Sequence, residues 1–285
     1  MRVTFHGVRG SFPNSSPANQ RYGGNTASLS LHVEGEPPIL LDFGTGVAQV
    51  DHNRHRRPGR PFCASALVTH LHLDHVQGFP FFEPVHQPGT ELDVYGPRQE
   101  SGTLREAFAG LVQPPYFPLP LDEFLADLRF HEVASDELSI GRATVMVRPV
   151  PHRGPSVGYR VEWAGATLAY VSDHQAPPGL DHVADGVLEL CDGVDLLVHE
   201  AQYTDAEFAA KADWGHCTVD YAVRVARESG ARRLCMFHHE PWRSDDDLDA
   251  LVAGARRLIA GGPTTEVMAA AEGTTLRVAA AFSGR

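Results

Sequence analysis

Apolar residues along this chain recur mostly at every second position or in short unbroken runs, with turn-forming residues between them. Over 2–6, 27–34 and 38–42 the runs are rich in Val, Leu, Ile and Phe and bounded by Gly, Pro and Asn, which predicts strands. Further strands are expected over 64–69, 128–134, 143–150, 157–163, 166–171, 195–200, 232–237, 265–270 and 274–280. Helical spacing is rarer. Thr218 precedes apolar residues at 219, 222, 223 and 226, with Gly230 beyond, so a helix capped at Thr218 should run through Glu228. Ser244 reads as the cap of a helix over 245–260, and another helix begins at Asp74. Between 79 and 120 the pattern gives way to prolines and rings, as in Phe79-Pro80-Phe81-Phe82-Glu83-Pro84 and Gln113-Pro114-Pro115-Tyr116-Phe117-Pro118. Such a segment is cover over the core, a wall of a pocket, or both. No linker, repeat or low-complexity tract divides the chain, so 1–285 reads as a single domain. Strand-rich halves with helices between the later strands predict an α/β fold of two packed sheets flanked by helices.

Candidate chemistry is concentrated where strands end. The apolar run Ala64-Ser65-Ala66-Leu67-Val68 leads into Thr69-His70-Leu71-His72-Leu73-Asp74-His75. Imidazole and carboxylate together are ligands of a borderline metal such as zinc. Packed this densely and buried without a cation, they would repel one another or stay unpaired. Four more apolar runs end in metal-type side chains: at His152, at Asp173, at His199-Glu200 and at His238-His239. Any one alone would be an ordinary polar strand end. Five of them describe one site presented by a rigid scaffold.

Composition narrows the partners. The chain has 285 residues, 42% of them hydrophobic, enough for a substantial core. Lys and Arg number 24 against 36 Asp and Glu, a net charge of −12, which argues against a long polyanion such as RNA. A basic run over 52–60 reads as a solvated surface loop in preference to a phosphate-attracting flank. Cys63, Cys191, Cys217 and Cys235 form no CxxC pair and read as reduced thiols of a cytoplasmic protein. The first residues read as a strand rather than a signal peptide, and no apolar run approaches the roughly 20 residues that would cross a bilayer, so no membrane partner is expected.

The order H-x-H-x-D-H, then His, Asp and His, resembles the metallo-β-lactamase-fold hydrolases over nearly the whole chain. The resemblance implies an αββα sandwich of two mixed β-sheets holding two divalent metal ions at one edge. Zinc is the first choice, and manganese or iron suits the same donors. His70, His72 and His152 would bind one ion. Asp74, His75 and His238 would bind the other, and Asp173 would bridge both. His238-His239-Glu240-Pro241 resembles the family's His-x-x-Pro ending, which selects His238 and leaves His239 as the alternative. Aspartate at 173 matches the two-metal hydrolases rather than the β-lactamases proper, which usually carry cysteine there.

Two later runs narrow the branch. His199-Glu200-Ala201-Gln202 is similar to the "HEAT" motif of the ribonuclease Z and phosphodiesterase branch, and Gly215-His216-Cys217-Thr218 to its "HST" motif. Gln202 stands where the first has threonine, and Cys217 where the second has serine. The resemblance makes His216, oriented by Glu200, the proton donor to a leaving oxygen, and with Asp74 these form the catalytic set. The runs at 7–11, 23–26 and 41–46 also resemble this branch. Asp42 reads either as a hydrogen-bonding support for the metal histidines or as a turn-former. Asn25 and Arg153 are candidate phosphate contacts, with turn formation and surface ion pairing as their other readings.

Two metals sharing a water lower its pKa towards neutrality, which suits in-line attack on phosphorus. Ribonuclease Z carries a long Gly/Pro-rich basic arm that grips tRNA, and this chain has no such insertion. The expected function is therefore dinuclear hydrolysis of a small phosphodiester, a cyclic nucleotide among the choices. The rivals are a ribonuclease Z-like endonuclease, a lactone, thioester or phosphotriester hydrolase, and a non-catalytic metal-binding protein. The sequence leaves open whether the chain forms a homo-oligomer.

Overall fold

Alternation decides the layers. In Leu196-Leu197-Val198, residues 196 and 198 enter one apolar cluster and 197 another; in Leu234-Cys235-Met236-Phe237 the same division holds. Successive strand side chains point to opposite faces, so a strand apolar on both faces must be covered on both. The computed structural model, which describes residues 1–52 and 61–280, meets that demand with two seven-stranded sheets packed face to face and helices outside.

Strands β1 (Arg2–Gly7), β2 (Ser28–His32), β3 (Ile39–Leu41), β4 (Cys63–Leu67), β5 (Glu91–Pro97) and β6 (Asp127–Val133) belong to the first sheet. Strands β7 (Asp136–Ile140), β8 (Ala143–Pro149), β9 (Val157–Trp163), β10 (Ala166–Val171), β11 (Leu196–Glu200), β12 (Arg233–Phe237) and β13 (Glu266–Ala269) form the second, and β14 (Thr275–Arg277) returns to the first. The orders are β14-β1-β2-β3-β4-β5-β6 and β13-β12-β11-β10-β9-β8-β7. β3 to β6 run parallel, as do β10 to β13.

Phe5, Leu29, Leu31, Tyr159, Leu168 and Phe237 fill the space between the sheets. The described helices are α1 (Leu73–Val76), α2 (Leu104–Leu111), α3 (Asp185–Cys191), α4 (Asp205–Lys211), α5 (Val219–Glu228) and α6 (Asp245–Leu258). Val187 and Leu190 of α3, Ala222 and Val223 of α5 and Val252 of α6 cover the outer face of the second sheet. Thr218 caps α5 by accepting from the Tyr221 amide, and Ser244 caps α6 in a reciprocal box with Asp247. None of the described helices is long and apolar enough to cross a membrane.

The segment 79–120 is more ordered than its prolines suggest. It contains β5 and α2, and Thr103 with Glu106 forms the capping box that starts that helix. Phe79, Phe82 and Phe108 are buried against Phe43, so this part is cover over the first sheet. Strand β7 and helices α3 and α4 were also missed by periodicity: β7 is a half-buried edge strand, and the two helices span seven residues each. The helix expected at Asp74 is a single turn. The basic run lies outside the described residues from position 53 onward; His52 itself is buried, 3.5 Å from Glu83.

Candidate metal centre

Parallel strands aligned in each sheet send their carboxyl ends to one edge, where an α/β scaffold presents ligands. From the first sheet, β3 delivers Asp42 and β4 delivers the 69–75 loop. From the second, β8 leads to His152, β10 to Asp173, β11 ends in Glu200, and β12 leads to His238. The loop is clamped between the sheets, because the Val157 amide donates to the Thr69 carbonyl (2.9 Å) and the Phe43 amide to the His75 carbonyl (2.7 Å).

The ligating atoms fall into groups, each within 4.8 Å: His70, His72 and His152; Asp74, His75 and His238; and two further sets that include Asp173. Asp173 sits between the first two. Its Oδ2 is 3.8 Å from both His70 Nε2 and His152 Nε2, and its Oδ1 is 3.1 Å from His75 Nε2 and 3.4 Å from His238 Nε2. Opposite oxygens of one carboxylate thus face different groups. In the second group, Asp74 Oδ2 is 3.3 Å from His75 Nε2 and 3.1 Å from His238 Nε2.

The protons on these rings are set from behind. His152 Nδ1 faces the Gly215 carbonyl at 2.7 Å, and a carbonyl only accepts, so Nδ1 carries the hydrogen and Nε2 turns its lone pair to the cluster. His75 Nδ1 donates to Asp42 (2.9 Å) and His238 Nδ1 to the Gln202 side-chain oxygen (2.8 Å), with the same result. Lone pairs therefore converge: His75 Nε2 and His238 Nε2 are 3.2 Å apart, and His72 Nδ1 and His152 Nε2 are 3.1 Å apart. His70 Nε2, Asp173 Oδ1 and His216 Nδ1 are buried without a hydrogen-bond partner. Convergent lone pairs, carboxylates and orphaned buried atoms fit divalent cations and are costly without them.

Electrostatics agree. Burial and the neighbouring His75 hold the His70 imidazole well below its usual range. Burial opposes ionisation of Asp173, yet His238, His75 and His70 outweigh it and hold the carboxyl far below the usual carboxylate range. His75 is pushed in the opposite sense: burial disfavours its charge, but Asp173, Asp74 and Asp42 raise it well above an ordinary histidine. The carboxylates demand positive charge at this point, and a cation there would displace the proton they favour on His75 Nε2 and use the lone pair instead.

Asp42 is fully buried, with φ of 58°, and accepts from the Thr69 amide (2.7 Å), Tyr170 OH (2.8 Å), the Thr69 hydroxyl and His75. Exchanging it for asparagine would turn an amide nitrogen towards one of these donors. Asp42→Asn is therefore expected to weaken metal binding by roughly 10- to 100-fold. A chromophoric-chelator titration that found unchanged affinity would remove its orienting role.

Two glycines make room for the rings. A Cβ on Gly10 would stand 2.3 Å from His238 Nδ1, and one on Gly215, at φ of +100°, would stand 2.6 Å from His152 Cε1. The 7–11 run is laced to the far side of the site: the Gly10 amide donates to the His239 carbonyl (2.9 Å), and the Ser11 amide to Asp74 Oδ2 (2.6 Å). His239 points away, its Nε2 donating to the Ala270 carbonyl at 2.9 Å, so His238 is the one brought to the cluster.

His216 Nδ1 lies 3.4 Å from Glu200 Oε1 and 3.6 Å from Asp173 Oδ2. Burial lowers its affinity for a proton, but Glu200, Asp173 and Asp74 more than compensate and push it up to about 9. Cations in the cluster would draw that value back down. Glu200 also accepts from the amides of His174 and Cys217 (3.1 Å for the latter), so one buried carboxylate holds two loops beside the imidazole.

The two candidate substrate contacts are engaged elsewhere. Asn25 Nδ2 donates to Glu272 (3.0 Å), and Arg153, beside His152 but largely exposed, donates to Asp213 (2.9 Å). Sequence reasoning missed Thr69, Tyr170, Gln202 and Ser11 as supports. Gln202 carried a signal, as the departure from the threonine of its motif. Ser11 and Thr69 lie inside runs that stood out for other reasons, while Tyr170 carried no signal, because its partner Asp42 lies 128 positions away.

A family model described as "Beta-lactamase superfamily domain" matches residues 38–239. The chain is 29% identical over 257 residues to an uncharacterized protein of Mycobacterium tuberculosis, covering 87% of this chain and 84% of the other. It is 28% identical over 330 residues to a ribonuclease Z of Haloarcula marismortui, covering 98% and 97%. Its fold is similar to that of the metallo-beta-lactamase fold protein YhfI from Bacillus subtilis, with a TM-score of 0.70, 19% identity and coverage of 96% and 98%.

Proposed function

Since the chain belongs to the beta-lactamase superfamily, we propose that it hydrolyses a small phosphodiester at two divalent cations, zinc by preference, held by His70, His72 and His152 on one side and Asp74, His75 and His238 on the other, with Asp173 between them. The observation that carries this reading is the placement of His216, 3.4 Å from Glu200 and 3.6 Å from the carboxylate shared by both groups. Cations bound there neutralise phosphoryl oxygens and acidify water. Two carboxylates among the seven ligands leave two divalent ions a net positive charge, which draws an anionic diester.

The remaining work falls to this chain's own side chains. Glu200 keeps His216 protonated and turned towards the cluster, so that the imidazolium can pass its proton to the leaving oxygen. Asp42, Gln202 and the Gly215 carbonyl hold His75, His238 and His152 in the tautomer that offers Nε2. The Ser11 amide fixes Asp74.

A panel on metal-reconstituted protein tests the reading: 3′,5′- and 2′,3′-cyclic nucleotides, a bis-aryl phosphodiester, precursor tRNA, a lactone and a thioester. Turnover of the small diesters is expected. Turnover of the lactone alone would overturn the assignment. A ribonuclease Z-like activity is the second reading, favoured by the likeness to the Haloarcula protein. It predicts cleavage of the precursor tRNA and steep salt dependence of binding, which a net charge of −12 disfavours.

A further inference from the structure

Four large apolar side chains stand in solvent beside the residues of the centre: Phe12 (58% exposed), Leu73 (64%), Trp214 (59%) and Trp242 (72%). Phe12 follows Ser11, whose amide holds Asp74. Leu73 separates His72 from Asp74. Trp214 precedes Gly215-His216. Trp242 lies two positions after Glu240, whose carboxylate meets the Gln202 amide at 3.4 Å. Of these, Phe12 and Trp242 are in contact, and a pair of exposed rings beside a polar site marks a surface that is used.

The rings are also pre-arranged. Phe12 and Trp242 stack on each other, with centroids 6.4 Å apart and planes at 22°. Each comes from a different part of the chain, so the pair exists only because the 7–11 run is laced to 238–240. On the His216 side, the Lys211 ammonium lies 4.7 Å from the Tyr203 ring and 5.4 Å from Trp214, and Tyr203 packs edge-on against His216. Tyr203 thus contacts both the Lys211 ammonium and the proton donor.

We propose that the Phe12–Trp242 pair is a stacking surface for the planar base of a nucleoside joined to the phosphodiester, which makes nucleotides rather than aliphatic diesters the substrate class. The inference rests on the phosphodiesterase reading above and deepens it. A diester seated at Asp74 places its substituent next to Ser11 and Phe12. Aromatic faces stack on any base without needing hydrogen bonds to it. Loss of Trp242 or Phe12 should therefore weaken binding of ring-bearing ligands and spare ringless ones.

The test compares adenosine 5′-monophosphate with ribose 5-phosphate by calorimetry on the metal-loaded full chain. Wild type should bind the first roughly 5- to 100-fold more tightly, with quenching of tryptophan fluorescence. In Trp242→Ala and Phe12→Ala that advantage should vanish while ribose 5-phosphate binds as before. Equal affinities in wild type, no binding of either probe, or equal weakening of both in the variants would overturn the proposal. So would a fall in sedimenting mass of either variant, which would place the rings between two copies of the chain. A retained preference for the base in a protein that turns over no phosphodiester would strike the functional reading and leave the stacking surface standing.

Discussion

Replacing His216 with alanine is expected to slow hydrolysis of an alkyl phosphodiester by roughly 10²–10⁴-fold, and to leave a bis-aryl phosphodiester nearly untouched. An alkoxide leaves poorly unless it is protonated as the bond breaks, whereas an activated aryloxide leaves as the anion. The ratio of the two losses therefore isolates proton donation from any general damage to the site. Equal losses would mean that His216 serves the fold or the metals, which its 3.6 Å approach to Asp173 makes a real competing role. Glu200→Gln supplies the companion result. Glu200 raises the proton affinity of His216, so removing its charge lowers that affinity. The acid form then disappears at lower pH, and the alkaline limb of kcat for the alkyl substrate should move towards acid. An unmoved limb would detach Glu200 from the proton donor.

Removing the proposed cations with a chelator is expected to give the second large effect. Turnover should fall to background. The melting temperature should fall by on the order of 10 °C, the shift that corresponds to losing a ligand held at about a thousand times its dissociation constant in a domain of this size. The cause is the set of buried lone pairs and carboxylates that converge on His70, His75, His238 and Asp173, which without cations lose their compensating charge. Asp173→Asn keeps the shape and removes the charge shared by the two groups, so elemental analysis should find fewer than two metals per chain. Full turnover and an unchanged melting curve after chelation and dialysis would sink the metal centre altogether.

Much of this was legible locally. The H-x-H-x-D-H run, the apolar strands ending at positions 152, 173, 200 and 238, and the caps at Thr218 and Ser244 are all short-range signals. Each is a few residues long and has a direct physical meaning. The Pro/aromatic stretch was misleading because proline obscures periodicity; β5 is a brief alternating run, and α2 is announced only by the Thr103–Glu106 box. Which of His238 and His239 faces the cluster was open in the sequence apart from the family likeness. It follows from a backbone turn: His238 adopts φ of 55° as it leaves β12 and swings its ring to Asp74, while His239 continues to Ala270.

The sequence by itself determined most of the strands, the two longest helices, the donor types and the family likeness, because alternation, capping and ligand density act over neighbours in the chain. The tertiary structure decided which atoms meet. Asp42 receives Tyr170 from 128 positions away, Gln202 holds His238, Asp173 turns one oxygen to each histidine group, and Phe12 finds Trp242. These pairings depend on how two sheets pack and how their loops close across the edge. That information is held by the whole core at once and by no stretch of the chain alone.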